Sequence, residues 1–154
     1  MKINDKLDKL EYAKRDKVAI LINGVLLKGV LGVSEFDVTR RKSTSNNIIK
    51  NTISISCKVP IEDANEYRLL MQGEEFRLVI IPLLEDEEYG DRKEHMGYIA
   101  SYAKIVSRQI EGLAEMPQGY LSRSNYMTEV TEIEYNELVI TNTLVSEETY
   151  NGRQ

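Results

Sequence analysis

The chain has 154 residues, 42% of them hydrophobic, with a single Cys, a single His and no Trp. This is one domain's worth of chain, enough to bury roughly 68–70% of its unfolded surface and so to build a core without disulfides. The formal net charge of −5 argues against a general nucleic-acid binder, which carries a basic excess. A lone Cys57 and a lone His95 exclude an internal disulfide and a thiolate or imidazole zinc site. No apolar run approaches the roughly 18 residues that span a bilayer, and MKINDKLDKL lacks a signal-peptide apolar core. These features predict a chain made in a cytoplasm, with no membrane partner.

Residues 1–16 are charge-dense, with Ile3, Leu7 and Leu10 at i, i+4 and i+7. They read as a short amphipathic helix or as an ordered arm. Either needs an apolar partner surface, in the same chain or in a neighbour, because so short a helix does not hold itself in water. In Val18–Leu27, Asn23-Gly24 between two apolar runs predicts a hairpin with a type I′ turn. The return strand reads through Gly29, Val30 and Val33 to about Lys42, and Gly29 and Gly32 suggest a bulge or bend. Along it Ser34, Phe36 and Val38 alternate with Glu35, Asp37 and Thr39, one face for a core and one for water. Arg40-Arg41-Lys42-Ser43-Thr44-Ser45-Asn46-Asn47 then predicts an exposed loop. It reads as a solvated hairpin tip or as an arm reaching an acidic surface on another subunit; it has no aromatic residue to stack on bases.

Next comes a strand, helix, strand unit. Ile53, Ile55, Cys57 and Val59 alternate with Thr52, Ser54, Ser56 and Lys58, which buries Cys57 as a small hydrophobe. Pro60 suits a helix entrance, Glu62 and Asp63 suit its first turn, and Tyr67, Leu70 and Met71 share one face. Gly73 ends a helix over about 61–72, and a strand follows over Glu75–Leu84. Glu85–Asp91 reads as a solvated acidic turn without the spacing of a calcium loop, and its sign is opposite to that of residues 40–42. Met96–Gly112 reads as a strand with two partly apolar faces, as if covered on both sides. Residues 113–126 form a long connection. A last strand over about Met127–Thr141 carries Glu129, Thr131, Ile133 and Tyr135 on one side and Val130, Glu132, Glu134 and Asn136 on the other. Residues 142–154 read as a tail.

Catalytic patterns are missing: no phosphate loop, HExxH helix, CxxC pair or GxSxG elbow occurs. His95, next to Asp91-Arg92-Lys93-Glu94, reads as a surface histidine. The expectation is no enzyme and no cofactor.

The order of elements resembles the tail tube proteins of bacteriophages and the inner tubes of related contractile injection machines. The resemblance is carried by the hairpin Ile20-Leu21-Ile22-Asn23-Gly24-Val25 and by Gly32-Val33-Ser34-Glu35-Phe36-Asp37-Val38. To these are added the passage Ile55–Gly73, Gly73-Glu74-Glu75-Phe76, and the closing Glu132-Ile133-Glu134-Tyr135-Asn136-Glu137-Leu138. It covers residues 17–141, between an N-terminal segment 1–16 and a C-terminal tail 142–154.

The resemblance implies a mainly β (α+β) fold: an antiparallel β-sandwich or barrel-like sheets, one flanking helix at 61–72 and a long extended hairpin. It implies rings, commonly hexamers, built head to tail and stacked into a tube in a virion tail assembled in a bacterial cytoplasm. Sheath, tape-measure or baseplate proteins would be partners, and DNA would pass without specific binding. Arg40, Arg41, Lys42, Asn46, Asn47, Ile48 and Ile49 are then subunit-interface candidates. Glu35, Asp37, Glu129, Glu132 and Glu134 are candidates for an acidic lumen that repels phosphates, or equally for the outer surface. The segments 1–16 and 113–126 depart from the family's pattern and leave room for a tube initiator or terminator. Two other readings stand beside it: a β-sandwich adaptor binding a protein or ligand through loops 40–50 and 113–126, and an enzyme of unseen class.

Overall fold

The computed structural model describes residues 10–39, 50–61, 74–111 and 126–151. Among the described residues the secondary structure is all strand: β1 (Val18–Ile22), β2 (Val25–Leu26), β3 (Val30–Val33), β4 (Asn51–Lys58), β5 (Glu75–Pro82), β6 (Glu94–Glu111), β7 (Thr128–Tyr135) and β8 (Val139–Leu144). The helix predicted over 61–72 lies, from residue 62 on, outside the described residues. So do the N-terminal Ile3 and Leu7 and most of the 113–126 connection.

All pairings are antiparallel, in one sheet of order β2-β1-β5-β6-β7-β4-β3, with β8 also on β6. Where a β-sandwich or barrel-like sheets are expected, the described strands form a single sheet. It curls until β3 returns beside β1, where the Gly32 Cα region lies against the Arg15 carbonyl. One interior receives Ile20 and Ile22 of β1, Ile53, Ile55 and Cys57 of β4, and Leu78 and Ile80 of β5. Ala100, Ala103 and Ile105 of β6 and Ile133 and Tyr135 of β7 complete it. Burying such side chains contributes about 1.5–3 kcal/mol each.

The Asn-Gly hairpin forms as its sequence predicts. Asn23 and Gly24 take φ of 51° and 81°, and Ile22 faces Val25. Asn23 also fixes the turn to β5: its N–H donates to the Arg77 carbonyl and its Oδ1 accepts the Arg77 N–H, both at 2.9 Å. The return strand is shorter than predicted. β2 has two residues, β3 runs only to Val33, and Leu31 is the extra residue of a bulge against β4. Residues 34–39 belong to no strand, yet they keep the predicted alternation: Phe36 and Val38 pack on the core while Glu35 and Asp37 are exposed.

β6 has the expected cover on both sides only in its first half, and bulges account for the rest of its mixed faces. Between Phe76 and Leu78 of β5 lies one residue, Arg77, but Ser101 and Tyr102 lie between their β6 partners Ala103 and Ala100. This bulge shifts the inward phase from Tyr98 and Ala100 to Ala103 and Ile105. A second bulge at Val106, opposite the Glu132–Ile133 step of β7, shifts it again, so that Arg108 and Ile110 share the face of Thr131 and Glu129. Before the first bulge the odd positions face outward, where Ile99 packs on a second apolar cluster of Ala19, Leu21, Val79 and Ile81.

The predicted last strand is two strands in line along the same edge of β6, separated by Asn136-Glu137-Leu138. Within the predicted tail, the described residues are held by pairing through Leu144 and by two further contacts. The Val145 N–H donates to the Lys93 carbonyl at 2.8 Å and the Asn151 N–H to the Gly90 carbonyl at 2.9 Å. Gly90 has φ of 105°, and a Cβ there would stand 2.7 Å from the Thr149 carbonyl oxygen. Gly90→Ala is expected to lower stability by about 1–3 kcal/mol, read as a lower urea midpoint at unchanged m.

Candidate assembly interface

The basic segment is pinned at its root. Asn51, fully buried at the start of β4, donates from Nδ2 to the Thr39 carbonyl at 2.8 Å and to the Asn136 carbonyl at 2.9 Å. The Leu138 N–H donates to the Val38 carbonyl at 2.8 Å, and the Tyr135 hydroxyl donates to the Asp37 carbonyl. Residues 37–39, 51 and 135–138 thus form a closed neck of backbone and side-chain hydrogen bonds. Arg40, Arg41, Lys42, Asn46, Asn47, Ile48 and Ile49 themselves lie outside the described residues. Burial pushes the Tyr135 phenol up to about 12, against the opposing effect of its bond to Asp37, so it stays a donor at any working pH.

The acidic candidates do not form one surface. Glu35 and Asp37 are exposed beside the neck. Glu132 and Glu134 are half-buried on the outer face of β7, opposite Ser54 and Thr52 of β4. Glu134 also faces Lys104 of β6, whose Nζ lies 3.6 Å from Glu75. This outer face is a polar plateau of Glu75, Arg77, Lys104, Glu132 and Glu134. Glu129 is a correction: it belongs to the other face of β7 with Thr131, Ile133 and Tyr135, is buried, and has Arg108 Nε 3.8 Å from its carboxylate. The side-chain period of two assigns that face, and the guanidinium offsets the desolvation of the carboxylate.

The acidic turn and His95 also differ from expectation. Glu87 turns inward, accepts the Leu84 N–H at 3.1 Å and pairs with Arg92 through Nε and through Nη2 at 2.9 Å. Burial raises its pKa, but the bonds from Arg92 and Leu84 outweigh this and leave the carboxyl below its usual range. His95 is 1% exposed, under the Tyr89 ring at 5.6 Å, with no hydrogen bond of normal geometry at either ring nitrogen. Burial and the Arg92 guanidinium push its pKa down against Glu87, the Arg92 backbone and Asp91. The charged sequence neighbours concealed this, but in a strand only alternate residues share a face, and those of His95 are Gly97 and Ile99.

Against known structures the chain is similar over most of its length. A chain of an extracellular contractile injection system, the PVC sheath–tube complex in the extended state, aligns with a TM-score of 0.58 at 9% identity, over 94% of this chain and 100% of that one. The cap that terminates the tube of the anti-feeding prophage gives 0.55 at 14% identity, over 94% and 100%. Hcp1 from Flavobacterium johnsoniae gives 0.53 at 14%, over 84% and 99%. The fold is shared with components of contractile injection systems. No protein-family model matches the sequence, and no curated protein matches it significantly.

A neutral His95 stabilises the folded state because its folded pKa lies below the usual 6.5. The sign follows: this stability is present above the unfolded pKa and is lost as pH falls below it, while the unfolded chain takes up the proton first. Thermal melts are expected to show a drop in midpoint from pH 7 to pH 5 that is flattened in His95→Phe.

Proposed function

We propose that this chain is a structural subunit that associates head to tail into rings, with six copies as the expected number, stacking as the tube of a phage-like contractile injection particle. The observation that carries the reading is the curled antiparallel sheet, matched along 94% of the chain by a chain of a sheath–tube complex. Two features fit such a subunit. The bond between Asn51 and Thr39 joins the two ends of a segment whose sequence has three consecutive cations, and the exposed Glu35 and Asp37 and the acidic turn supply the opposite sign. A heterologous contact of this kind closes into a ring when its rotation divides the circle. With Glu35 and Asp37 engaged in that contact, Glu132 and Glu134 are the lumen candidates; an acidic wall would let a polyanion slide through. A surrounding sheath and tube-end proteins are the corresponding partners.

A second reading, a cap or initiator at the tube's end, is favoured by the similarity to the tube-terminating cap. Long stacks in electron microscopy support the tube, and isolated rings that bind tube ends support the cap. In either case the Arg40→Glu, Arg41→Glu, Lys42→Glu triple variant is expected to stay monomeric in light scattering while its far-UV circular dichroism is unchanged. Wild-type protein that remains monomeric at high concentration, with neither rings nor tubes in micrographs, would overturn the proposal.

A further inference from the structure

β8 leaves one edge open. The bond from the Val145 N–H to the Lys93 carbonyl sets the phase of the β6–β8 ladder, in which Glu94 faces Leu144 and Tyr98 faces Ile140. Bonded and non-bonded pairs alternate in an antiparallel ladder, so Val139, Thr141 and Thr143 aim their backbone groups at β6. Leu138, Ile140, Asn142 and Leu144 aim theirs away. Leu138 spends its outward N–H on Val38; from Ile140 to Leu144 no described residue meets the row.

This edge has none of the usual protections. Val139–Leu144 contains no Lys, no Pro and no charge, and an unblunted edge is a template for another strand. Ile140 and Leu144 are 54% and 76% exposed. On the same face, Met96 and Tyr98 of β6 lie opposite Asn142 and Ile140, and Tyr98 leads into a cavity of about 610 Å³ with Phe36, Val33 and Val18 in its walls. An apolar floor therefore runs from the open edge into the seam of the sheet.

A second part of the chain is equally unmatched. Leu10–Ala13 belongs to no strand and is exposed, with Leu10 at 52% and Tyr12 at 80%. The segment is tethered rather than buried: Lys14 pairs with Glu85, and Glu11 lies close enough to Arg92 to raise its pKa, after the larger effects of Glu87 and burial. In an extended chain Leu10 and Tyr12 fall on one face. Nine further residues precede Leu10, with a reach of about 30 Å when extended.

We propose that the outer edge of β8 accepts the segment around Leu10–Ala13 of a second copy as an added strand. Leu10 and Tyr12 then lie beside Ile140 and Leu144, and the outward groups of Ile140, Asn142 and Leu144 are satisfied. The inference rests on the reading of the chain as a self-assembling subunit, and it names the contact. Donor and acceptor are different patches of one molecule, so each copy gives an arm and receives one, which is the geometry of a head-to-tail ring.

The test uses the full chain. Asn142→Pro removes the outward N–H and leaves the bonds to β6, and Ile140→Lys with Leu144→Lys installs edge charges. Either is expected to raise the concentration needed for assembly at least about tenfold, as is Leu10→Ser with Tyr12→Ser, while monomer melting is unchanged. Leu10→Cys protein mixed with Asn142→Cys protein is expected to give dimers under a bismaleimide cross-linker, where wild type, with Cys57 buried, gives none. Rings that form normally from Asn142→Pro protein, with no cross-link in the mixture, would overturn this contact and leave the tube reading standing. Wild-type protein that never self-associates would overturn both. Cross-linking confined to the double variant within a monomer would show that the arm folds onto its own β8, and would also overturn the proposal.

Discussion

Successive residues of a strand send their backbone N–H and C=O to alternate edges, and each group that is buried has to be met. β6 carries that demand over 18 residues. β5 meets it on one edge between Tyr98 and Lys104, and β7 and β8 in line meet it on the other. A regular strand of this length could keep only one set of side chains inside. The two bulges release it from that constraint, so that Ile99 serves the outer cluster while Ala103 and Ile105 serve the interior. The curl of the sheet, the line of β7 and β8, and the seam between β1 and β3 all follow from how this one strand is bent.

The strands were legible because their period is local. β4 is read from its alternation, β1 from the apolar run before Asn-Gly and β5 from the strand after Gly73, each within two residues of its ends, and the Asn-Gly turn from the positive φ it requires. What was not legible was phase. Nothing in Ala100-Ser101-Tyr102-Ala103 marks an extra residue, since a bulge is decided by the partner strand, and the cover on both faces that holds for the first half of β6 does not extend to the second. The end of β3 was missed because Phe36 and Val38 keep alternating after the ladder has stopped. A side chain can reach the core without its backbone joining the sheet.

For the candidate surfaces, charge was a poorer guide than parity. Glu129 was grouped with Glu132 and Glu134 by sign, although its own alternation placed it with Thr131 and Ile133, where it meets Arg108. His95 was assigned to solvent by its neighbours in sequence, although its neighbours on the strand face are Gly97 and Ile99. Glu87 looks no different from Glu85 or Glu88 in the sequence; only its bonds to Arg92 and to the Leu84 N–H set it apart. The neck could not be foreseen at all. Asn51, Tyr135 and Leu138 meet residues 37–39 from two distant stretches of chain, and no single-sequence pattern reports such a meeting.

That neck also has a consequence for evolution. The Asn51 side chain bonds to the Thr39 and Asn136 carbonyls, and these bonds use none of residues 40–49. Lengthening a chain between fixed ends costs only about 0.6 kcal/mol for each doubling. A change of length between positions 39 and 51 therefore leaves the bonds of the neck as they are, and an inherited body can tolerate it.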